Sequence, residues 1–347
     1  MPPTLDIAGR LVGPDHPPLV IAEIGINHEG SLDKAVQMVD DAVAAGCECV
    51  KFQCHVIEDE MIPNDVVPGN ADESIWDIMA RCALSEPEDR RLKAYVESKG
   101  AIYLSTPFSR AAAERLEAMG VLAYKIGSGE CNNYPLVEHI ARYGKPIIVS
   151  TGMNDLASVR PTVEILRAHG VSFGLLHCTS LYPTPYEQVR LGAMVELQQA
   201  FPDAVVGLSD HTETIYACLG AVALGASILE RHFTSSRDWP GPDVPISMIP
   251  EELAQLVEGS RAIHLARGGR KEILAAEQPT IDFAYASVVT LAPIAAGEVF
   301  TMDNLWVKRP GTGAIQAKHF EGLLGKRAAR ALTVNHQLDW DDIRDGD

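Results

Sequence analysis

The chain has 347 residues, 46% of them hydrophobic and 22% charged, which is typical of a soluble globular protein with a sizeable core. Its net charge of −18 argues against nucleic acid and anionic membranes as partners, because both require a basic patch. The N-terminus has no signal-peptide pattern, and no apolar run reaches the ~20 residues of a membrane span. We expect a cytoplasmic protein whose seven cysteines stay reduced.

Short β-rich runs alternate with amphipathic stretches over the first two thirds of the chain. The runs are 18–24, 47–53, 101–105, 122–126, 145–150, 171–177, 204–209 and 226–232. Stretches such as 31–46 and 109–120 lie between them, and each ends on a glycine that suits a helix C-cap. Eight continuously apolar strands alternating with helices predict an α/β fold, the (β/α)₈ TIM barrel.

The remaining segments define the domain organisation. The turn-rich segment 55–74 between the second and third strands is interpreted as a lid or a subunit contact. A final helix at 250–269 ends the alternation, and from Tyr285 short strands and turns predict a small β-rich domain. The predicted boundaries are a barrel domain at 1–267, a linker at 268–284 and the small domain at 285–347.

Every predicted strand ends on polar residues. They are Glu23, Lys51 with Gln53, Ser105 with Thr106, Lys125, Ser150 with Thr151, His177, Ser209 with His211, and Glu230 with His232. One such residue is explained as a solvated strand end. Polar ends on all eight strands indicate an active site, because the C-terminal strand ends form the mouth of a TIM barrel.

Two of these histidines follow consecutive strands. His211 ends "GLSDH" and His232 ends "ILERH". Neighbouring strands lie about 4.8 Å apart, so both imidazoles can reach one metal ion that keeps positions open for substrate. The alternative is a packed polar layer in which each ring only hydrogen-bonds a neighbour. His177 is either a supporting partner of this site or a core residue.

Two lysines indicate an anion site. Lys51 shares one side of its strand with Gln53, and Lys125 precedes the glycines of "GSGE". Together with hydroxyl side chains they predict a phosphate cradle, and those side chains are Thr106, Ser128, Ser150 and Ser209. A Schiff-base lysine is the competing interpretation. It needs one desolvated lysine, whereas two neighbouring lysines repel each other unless an anion lies between them.

Three carboxylates complete the candidate set. Glu23 ends the first strand, Glu130 closes "KIGSGE", and Asp243 lies in "WPGPD" beyond the eighth strand. Such groups orient a metal-bound water or move protons on a polyol substrate. For Asp243, a surface loop acid is the alternative interpretation.

The motifs around these residues resemble those of the sialic acid synthase family, the bacterial N-acetylneuraminate synthases. The matching stretches run from about residue 19 to 312 and include "IAEIGINHEGSL", "VKFQ", "PGNADESI", "YKIGSGECNNYPL", "HCTSLYPTPYE", "GLSDHT", "ERHFT" and "NLWVKRPGTG". The C-terminal part resembles the antifreeze-like SAF domain of these enzymes. The resemblance thus implies a TIM barrel followed by a β-rich SAF domain of the β-clip type.

The resemblance also implies roles for individual residues. His211 and His232 match the ligands of a divalent metal, with manganese usual and magnesium or cobalt as alternatives. The phosphoenolpyruvate contacts match Lys51, Thr106, Lys125, Ser128, Ser150, Ser180 and Ser209. Groups around the sugar and the reacting centre match Glu23, Gln53, Glu130, Tyr182 and Asp243. Some relatives have asparagine in place of Ser180, which implies a shorter or water-mediated contact.

Family members are domain-swapped homodimers, and this implies that Phe283 and Arg309 reach the sugar from the partner chain. The implied catalytic residues are Glu23, Lys51, Lys125, Glu130, His211, His232 and Asp243. The implied reaction condenses phosphoenolpyruvate, N-acetylmannosamine and water to N-acetylneuraminate and phosphate. The metal activates the aldehyde, phosphate leaves by C–O cleavage, and Glu23 is the candidate for the proton of the water.

Two alternatives remain open. Within the family, the enzyme makes legionaminic or pseudaminic acid from a 2,4-diacetamido-trideoxyhexose. Outside it, the chain is a carbohydrate- or ice-binding protein built on an inactive barrel. Only the antifreeze-like C-terminal part suggests the second alternative. An inactive barrel would leave the polar residues at the strand ends unexplained.

Overall fold

Eight parallel strands form the main sheet of the computed structural model, which describes residues 2–344. After a hairpin of β1 (Leu5–Ile7) and β2 (Arg10–Val12) they are β3 (Leu19–Gly25), β4 (Cys49–Cys54), β5 (Ile102–Pro107), β6 (Tyr124–Ile126), β7 (Ile147–Ser150), β8 (Phe173–Cys178), β9 (Val205–Asp210) and β10 (Ile228–His232). The sheet order is β5-β4-β3-β10-β9-β8-β7-β6, and β5 also lies beside β6. The sheet therefore closes, and the predicted TIM barrel is confirmed.

Helices follow the strands on the outside of the barrel. They are α1 (Leu32–Ala44), α2 (Ile57–Glu60), α3 (Ile75–Cys82), α4 (Glu86–Ser98), α5 (Arg110–Ala118), α6 (Tyr134–Ala141), α7 (Leu156–Ala168), α8 (Tyr186–Val189), α9 (Leu191–Ala200), α10 (Tyr216–Ala223) and α11 (Pro250–Ala266). The Ser31 hydroxyl caps α1 by accepting a hydrogen bond from the Lys34 amide. Gly46 follows that helix with a φ of 82°, a left-handed conformation that favours glycine.

An apolar layer fills the N-terminal half of the barrel interior. Inward residues of the strands, such as Ile21 and Ile228, share this core with Leu5, Ile7 and Val12 of the β1–β2 hairpin. The hairpin was not predicted, because strands of three residues are too short to show a period. Since this end of the barrel is packed with apolar groups, polar chemistry is confined to the opposite end.

The loop after β3 buries His28, which is 2% exposed. Burial lowers the pKa of His28 from 6.5 to about 4, so folding favours the neutral ring. This contribution is fully present above pH 6.5 and is lost as the pH falls through about 4. We expect protonation of His28 to lower the free energy of unfolding by about 3 kcal/mol as the pH falls through that range. Urea unfolding of wild type and His28→Gln tests this: the variant should lose less stability on acidification, and parallel losses would contradict it.

The second unit begins at Gly269 and contains short elements. They are α12 (Gln278–Ala284), β11 (Ser287–Thr290), β12 (Leu305–Lys308), β13 (Arg327–Ala328) and β14 (Ile343–Arg344), with β11 antiparallel to β12 and β13 antiparallel to β14. Its own core contains Val288, Ile294, Phe300, Leu305, Ile315, Leu323, Ala328, Leu332 and Leu338.

The segment predicted as a linker, 268–284, differs from a plain connection. All of it after Gly268 groups with the second unit, and it carries α12. The Asp282 carbonyl accepts a hydrogen bond of 2.8 Å from the Gly311 amide, which ties α12 to the loop after β12. The second unit thus includes the segment predicted as a linker, and the predicted domain boundaries stay predictions.

The seven cysteines are buried free thiols. Burial raises the pKa of Cys47 and Cys131 to about 11, so both thiols stay protonated. In the described part of the chain, no helix combines the length and the apolarity that a bilayer crossing requires.

Candidate active site

Polar side chains fill the C-terminal half of the barrel interior, next to the apolar layer. Alternation along each strand puts them there: Ile21 lies in the apolar layer, and Glu23, two residues on, lines a cavity. On β10, Ile228 is followed in the same way by Glu230 and His232. The cavity has a volume of about 490 Å³ and opens at the mouth of the barrel. Such a volume is typical of small-molecule sites.

Four charged side chains form a buried cluster at the bottom of this cavity. Lys51 Nζ lies 2.8 Å from Glu23 Oε2 and 3.6 Å from Glu230 Oε1. Lys125 Nζ lies 3.4 Å from Glu230 Oε1 and donates to Ser150 Oγ at 2.7 Å. Glu230 therefore lies between the two lysines. Two neighbouring lysines were expected to need an anion between them, and the Glu230 carboxylate provides that negative charge.

The cluster sets the charge of each member. Burial alone would lower the pKa of Lys51, but Glu23 and Glu230 outweigh it and the pKa is raised. Burial and the charge of Lys51 lower the pKa of Lys125 against the pull of Glu230. Burial raises the pKa of Glu23, whereas the two lysines outweigh burial at Glu230 and lower its pKa. Two positive and two negative groups thus nearly cancel before any substrate binds.

His211 and His232 lie side by side, with ring centroids 5.4 Å apart. The Nδ1 of His211 lies 3.0 Å from the Thr179 carbonyl oxygen, which can only accept, so Nδ1 donates and Nε2 is left for another partner. Among the residues that the structure describes, none forms a hydrogen bond with the Nδ1 of His232, which lies 3.7 Å from Asp243 Oδ2. Fixing one ring nitrogen by a carbonyl is how proteins orient a metal-ligating histidine, and His211 shows this arrangement.

The two rings differ in protonation. Burial, together with the charge of His211, lowers the pKa of His232 well below its usual range. At His211 burial also lowers the pKa, but the Cys178 thiol and the Thr179 carbonyl raise it to about 9. A divalent cation would displace a proton from His211 on binding.

The donor set suits a catalytic metal and not a closed structural site. Within residues 2–344, no group of three or more His, Cys, Asp or Glu side chains forms a metal cage. Two neighbouring imidazoles provide nitrogen ligands and leave the remaining positions to water or substrate. One of them, His232, carries a buried nitrogen without a hydrogen bond, which is costly without a partner. The residues present therefore fit a divalent ion.

An ion pair on the outer face of the barrel holds the two histidine-bearing strands in register. Arg231 pairs with Asp210 across β10 and β9, and its Nε lies 3.8 Å from Asp210 Oδ2. The Arg231 guanidinium also donates to the Thr212 carbonyl oxygen. At Gly207 a Cβ would lie 2.1 Å from the Ile228 carbonyl oxygen, so the strands approach closely only because glycine is there.

Most of the predicted site residues line this cavity. They are Glu23, Lys51, Gln53, Thr106, Lys125, Ser128, Ser150, Ser180, Tyr182, Ser209, His211 and His232. Asp243 lies just behind His232, and burial raises its pKa to about 6. Glu130 is half-buried and bonded to Asn133, outside the cavity lining.

Three predicted residues lie elsewhere. The Nε2 of His177 lies 2.6 Å from the Val189 carbonyl oxygen, and the residue is not among those that line the cavity. Phe283 and Arg309 belong to the second unit, where both are exposed. Their predicted contact with sugar from a partner chain stays a prediction.

Several lining residues were not singled out by the sequence. Glu230 ends a predicted strand but has no predicted role, although its position two residues before His232 places both side chains on the same face of that strand. His55, Glu60 and Cys178 also line the cavity. His55 directly follows a strand, and this position could have indicated a cavity residue. Glu60 lies in the four-residue helix α2, which is too short for a hydrophobic period to show which side faces the cavity.

Comparison with known proteins shows a match to the NeuB family over residues 38–272 and to the SAF domain over residues 285–344. The N,N′-diacetyllegionaminic acid synthase of Campylobacter jejuni is 37% identical over 90% of this chain and 96% of its own. The human N-acetylneuraminate-9-phosphate synthase is 34% identical over 94% of this chain and 93% of its own.

A solved structure is also similar. The N-acetylneuraminic acid (sialic acid) synthetase of Leptospira borgpetersenii, in complex with citrate, superimposes with a TM-score of 0.74. It is 32% identical and covers 81% of this chain and 96% of its own. The resemblance stated from the motifs is therefore confirmed, and the chain belongs to the NeuB family of sialic acid synthase-type enzymes.

Proposed function

We propose that this protein is an N-acetylneuraminate synthase, which condenses phosphoenolpyruvate, N-acetylmannosamine and water to N-acetylneuraminate and phosphate. The observation that carries the proposal is the buried lysine pair beside two neighbouring imidazoles in one cavity. Cations surrounded by hydroxyl groups suit a phosphate and a carboxylate, and imidazoles suit a divalent ion. Phosphoenolpyruvate carries both anionic groups on three carbons.

The lysines hold the phosphoenolpyruvate. Lys51 and Lys125 supply the charge, and hydroxyl donors around them complete the cradle, namely Thr106, Ser128, Ser150, Ser180 and Ser209. Because the cluster is nearly neutral on its own, a bound trianion leaves a negative excess that a divalent cation at His211 and His232 offsets. Manganese is the proposed ion, with magnesium or cobalt as alternatives. When bound, it supplies Lewis-acid polarisation of the sugar aldehyde oxygen.

The chain's own residues handle the remaining chemistry. The C2=C3 electrons of phosphoenolpyruvate form the bond from C3 to the aldehyde carbon, while the aldehyde C=O double bond opens and its oxygen takes up a proton. Water adds to C2 and loses one proton, and the C2–O bond to phosphate breaks as the new hydroxyl on C2 gives up its proton and becomes a carbonyl. Glu23 accepts the proton of that water, because its carboxylate is buried at the cavity floor against Lys51. Gln53, Tyr182, Glu130 and Asp243 are proposed to contact the sugar. A cytoplasmic, domain-swapped homodimer would add Phe283 and Arg309 of the partner chain.

The alternative acceptor is a 2,4-diacetamido-trideoxyhexose, which would make the protein a legionaminic or pseudaminic acid synthase. A relative named N,N′-diacetyllegionaminic acid synthase is 37% identical to this chain, and this similarity supports the alternative acceptor.

A product assay tests the proposal and its alternative. The enzyme, manganese and phosphoenolpyruvate are incubated separately with N-acetylmannosamine, its 6-phosphate and a 2,4-diacetamido-2,4,6-trideoxyhexose. Released phosphate and the product mass are then measured. We expect the highest kcat/KM with N-acetylmannosamine. A higher value with either other sugar would reassign the acceptor, and no sugar-dependent phosphate release from any of them would contradict the synthase activity.

A further inference from the structure

A buried histidine that the proposed reaction does not use sits on the wall of the cavity. His55 follows β4 directly and is 5% exposed. Its Nδ1 lies 2.8 Å from Glu60 Oε2, and its Nε2 lies 2.9 Å from Gln53 Oε1. The ring also stacks on Phe108, with centroids 4.7 Å apart and planes 14° apart. Both ring nitrogens and one ring face are therefore occupied.

A run of contacts leads from Glu60 through His55 and Gln53 to Glu23. The Glu60 carboxylate oxygen and the Gln53 amide oxygen are acceptors, and each of them faces one nitrogen of the His55 ring. With its oxygen held by His55, Gln53 turns its amide nitrogen toward Glu23, where Nε2 lies 3.4 Å from Oε1. The reversed amide would set its oxygen against the Glu23 carboxylate and remove the amide oxygen from His55.

The consequence falls on Glu23. One of its oxygens faces Lys51 at 2.8 Å, and the other accepts from Gln53. A carboxylate held at both oxygens keeps one orientation, which is what a base acting on a single water needs. Free rotation of the Gln53 amide would remove one of these two restraints.

We propose that His55, held by Glu60, is a positioning residue that fixes the amide of Gln53 so that Gln53 orients Glu23. For its effect on turnover this inference rests on the proposed function. Its structural part, a locked Gln53 amide, does not. His55 acts through Gln53 and is not itself a catalytic residue.

A double-mutant cycle tests the effect on turnover. His55→Phe retains an aromatic ring to stack on Phe108 and removes both hydrogen bonds. We expect it to lower kcat about 10- to 100-fold, the worth of a hydrogen bond to a charged group, with the KM for phosphoenolpyruvate changed less than about twofold. In a Gln53→Met background the same change should lower kcat by no more than about twofold. An equal loss in both backgrounds, or no loss in either, would overturn the proposal.

Two further variants guard against a loss of folding. Glu60→Gln keeps the shape of the side chain and replaces the carboxylate that faces His55 with a neutral amide, so it should also lower kcat. The matched control is Glu58→Gln on the same helix, where the side chain is exposed and kcat should not change. Equal kcat for Glu60→Gln and Glu58→Gln would count against the role of the Glu60 carboxylate.

A readout without substrate separates this inference from the proposed function. The side-chain amide protons of Gln53, assigned by their absence in Gln53→Met, should exchange with solvent at least about tenfold faster in His55→Phe than in wild type. Unchanged exchange would overturn the inference even if the product assay succeeds. Faster exchange would support it even if none of the tested sugars reacts.

Discussion

His232→Ala is expected to lower kcat by about 10³-fold or more and to abolish tight binding of manganese. The reason is that, within the described residues 2–344, the imidazoles of His211 and His232 are the two that face the proposed ion, so the loss of one removes half of these nitrogen ligands. Lewis-acid activation contributes several kcal/mol, and each 1.36 kcal/mol corresponds to tenfold in rate. His211→Ala should behave in the same way. Steady-state kinetics and calorimetric titration with manganese measure the two effects.

His169→Ala is the matched control, because this histidine is exposed at the end of α7 and pairs with Glu138 on the surface. It should leave both kcat and manganese affinity unchanged. Unfolding curves show whether the His211 and His232 variants remain folded. A folded His232→Ala variant that binds manganese as tightly as wild type would contradict the assignment of this ligand.

Glu230→Gln is expected to destabilise the substrate-free protein by about 3–5 kcal/mol, because it leaves two buried lysines facing one carboxylate. Inorganic phosphate should restore part of this loss, since an anion can then occupy the space between the lysines. Urea unfolding in phosphate-free buffer, and again with phosphate, measures both effects.

Glu48→Gln provides the comparison for a surface ion pair. Glu48 is partly exposed and pairs with Arg10 and Arg261, so its replacement should cost no more than about 1 kcal/mol, and phosphate should have no effect on it. Equal unfolding midpoints for Glu230→Gln and wild type without phosphate would show that the lysines do not depend on Glu230.

The barrel could be predicted because its signal is repeated. Eight apolar runs separated by amphipathic stretches match the eight strands, and alternation along each strand places polar ends such as Glu23 and Lys51 in one cavity. His211 and His232 follow neighbouring strands, so their proximity also follows from chain order. Parallel strands bring their ends together whatever lies between them in sequence.

The parts that could not be predicted depend on contacts without a period. The β1–β2 hairpin is recognisable only once Leu5 and Ile7 are seen in the barrel core. The position of Glu230 between the two lysines depends on three separate strands, and no spacing along the chain indicates it. Likewise, α12 resembles a linker until the hydrogen bond from Gly311 joins it to the second unit.

Anomalous scattering from crystals grown with manganese tests the central claim most directly. The account predicts one strong peak within bonding distance of a ring nitrogen from each of His211 and His232, beside the lysine–carboxylate cluster. A peak at some other place, or full turnover by enzyme stripped of all divalent ions, would contradict it.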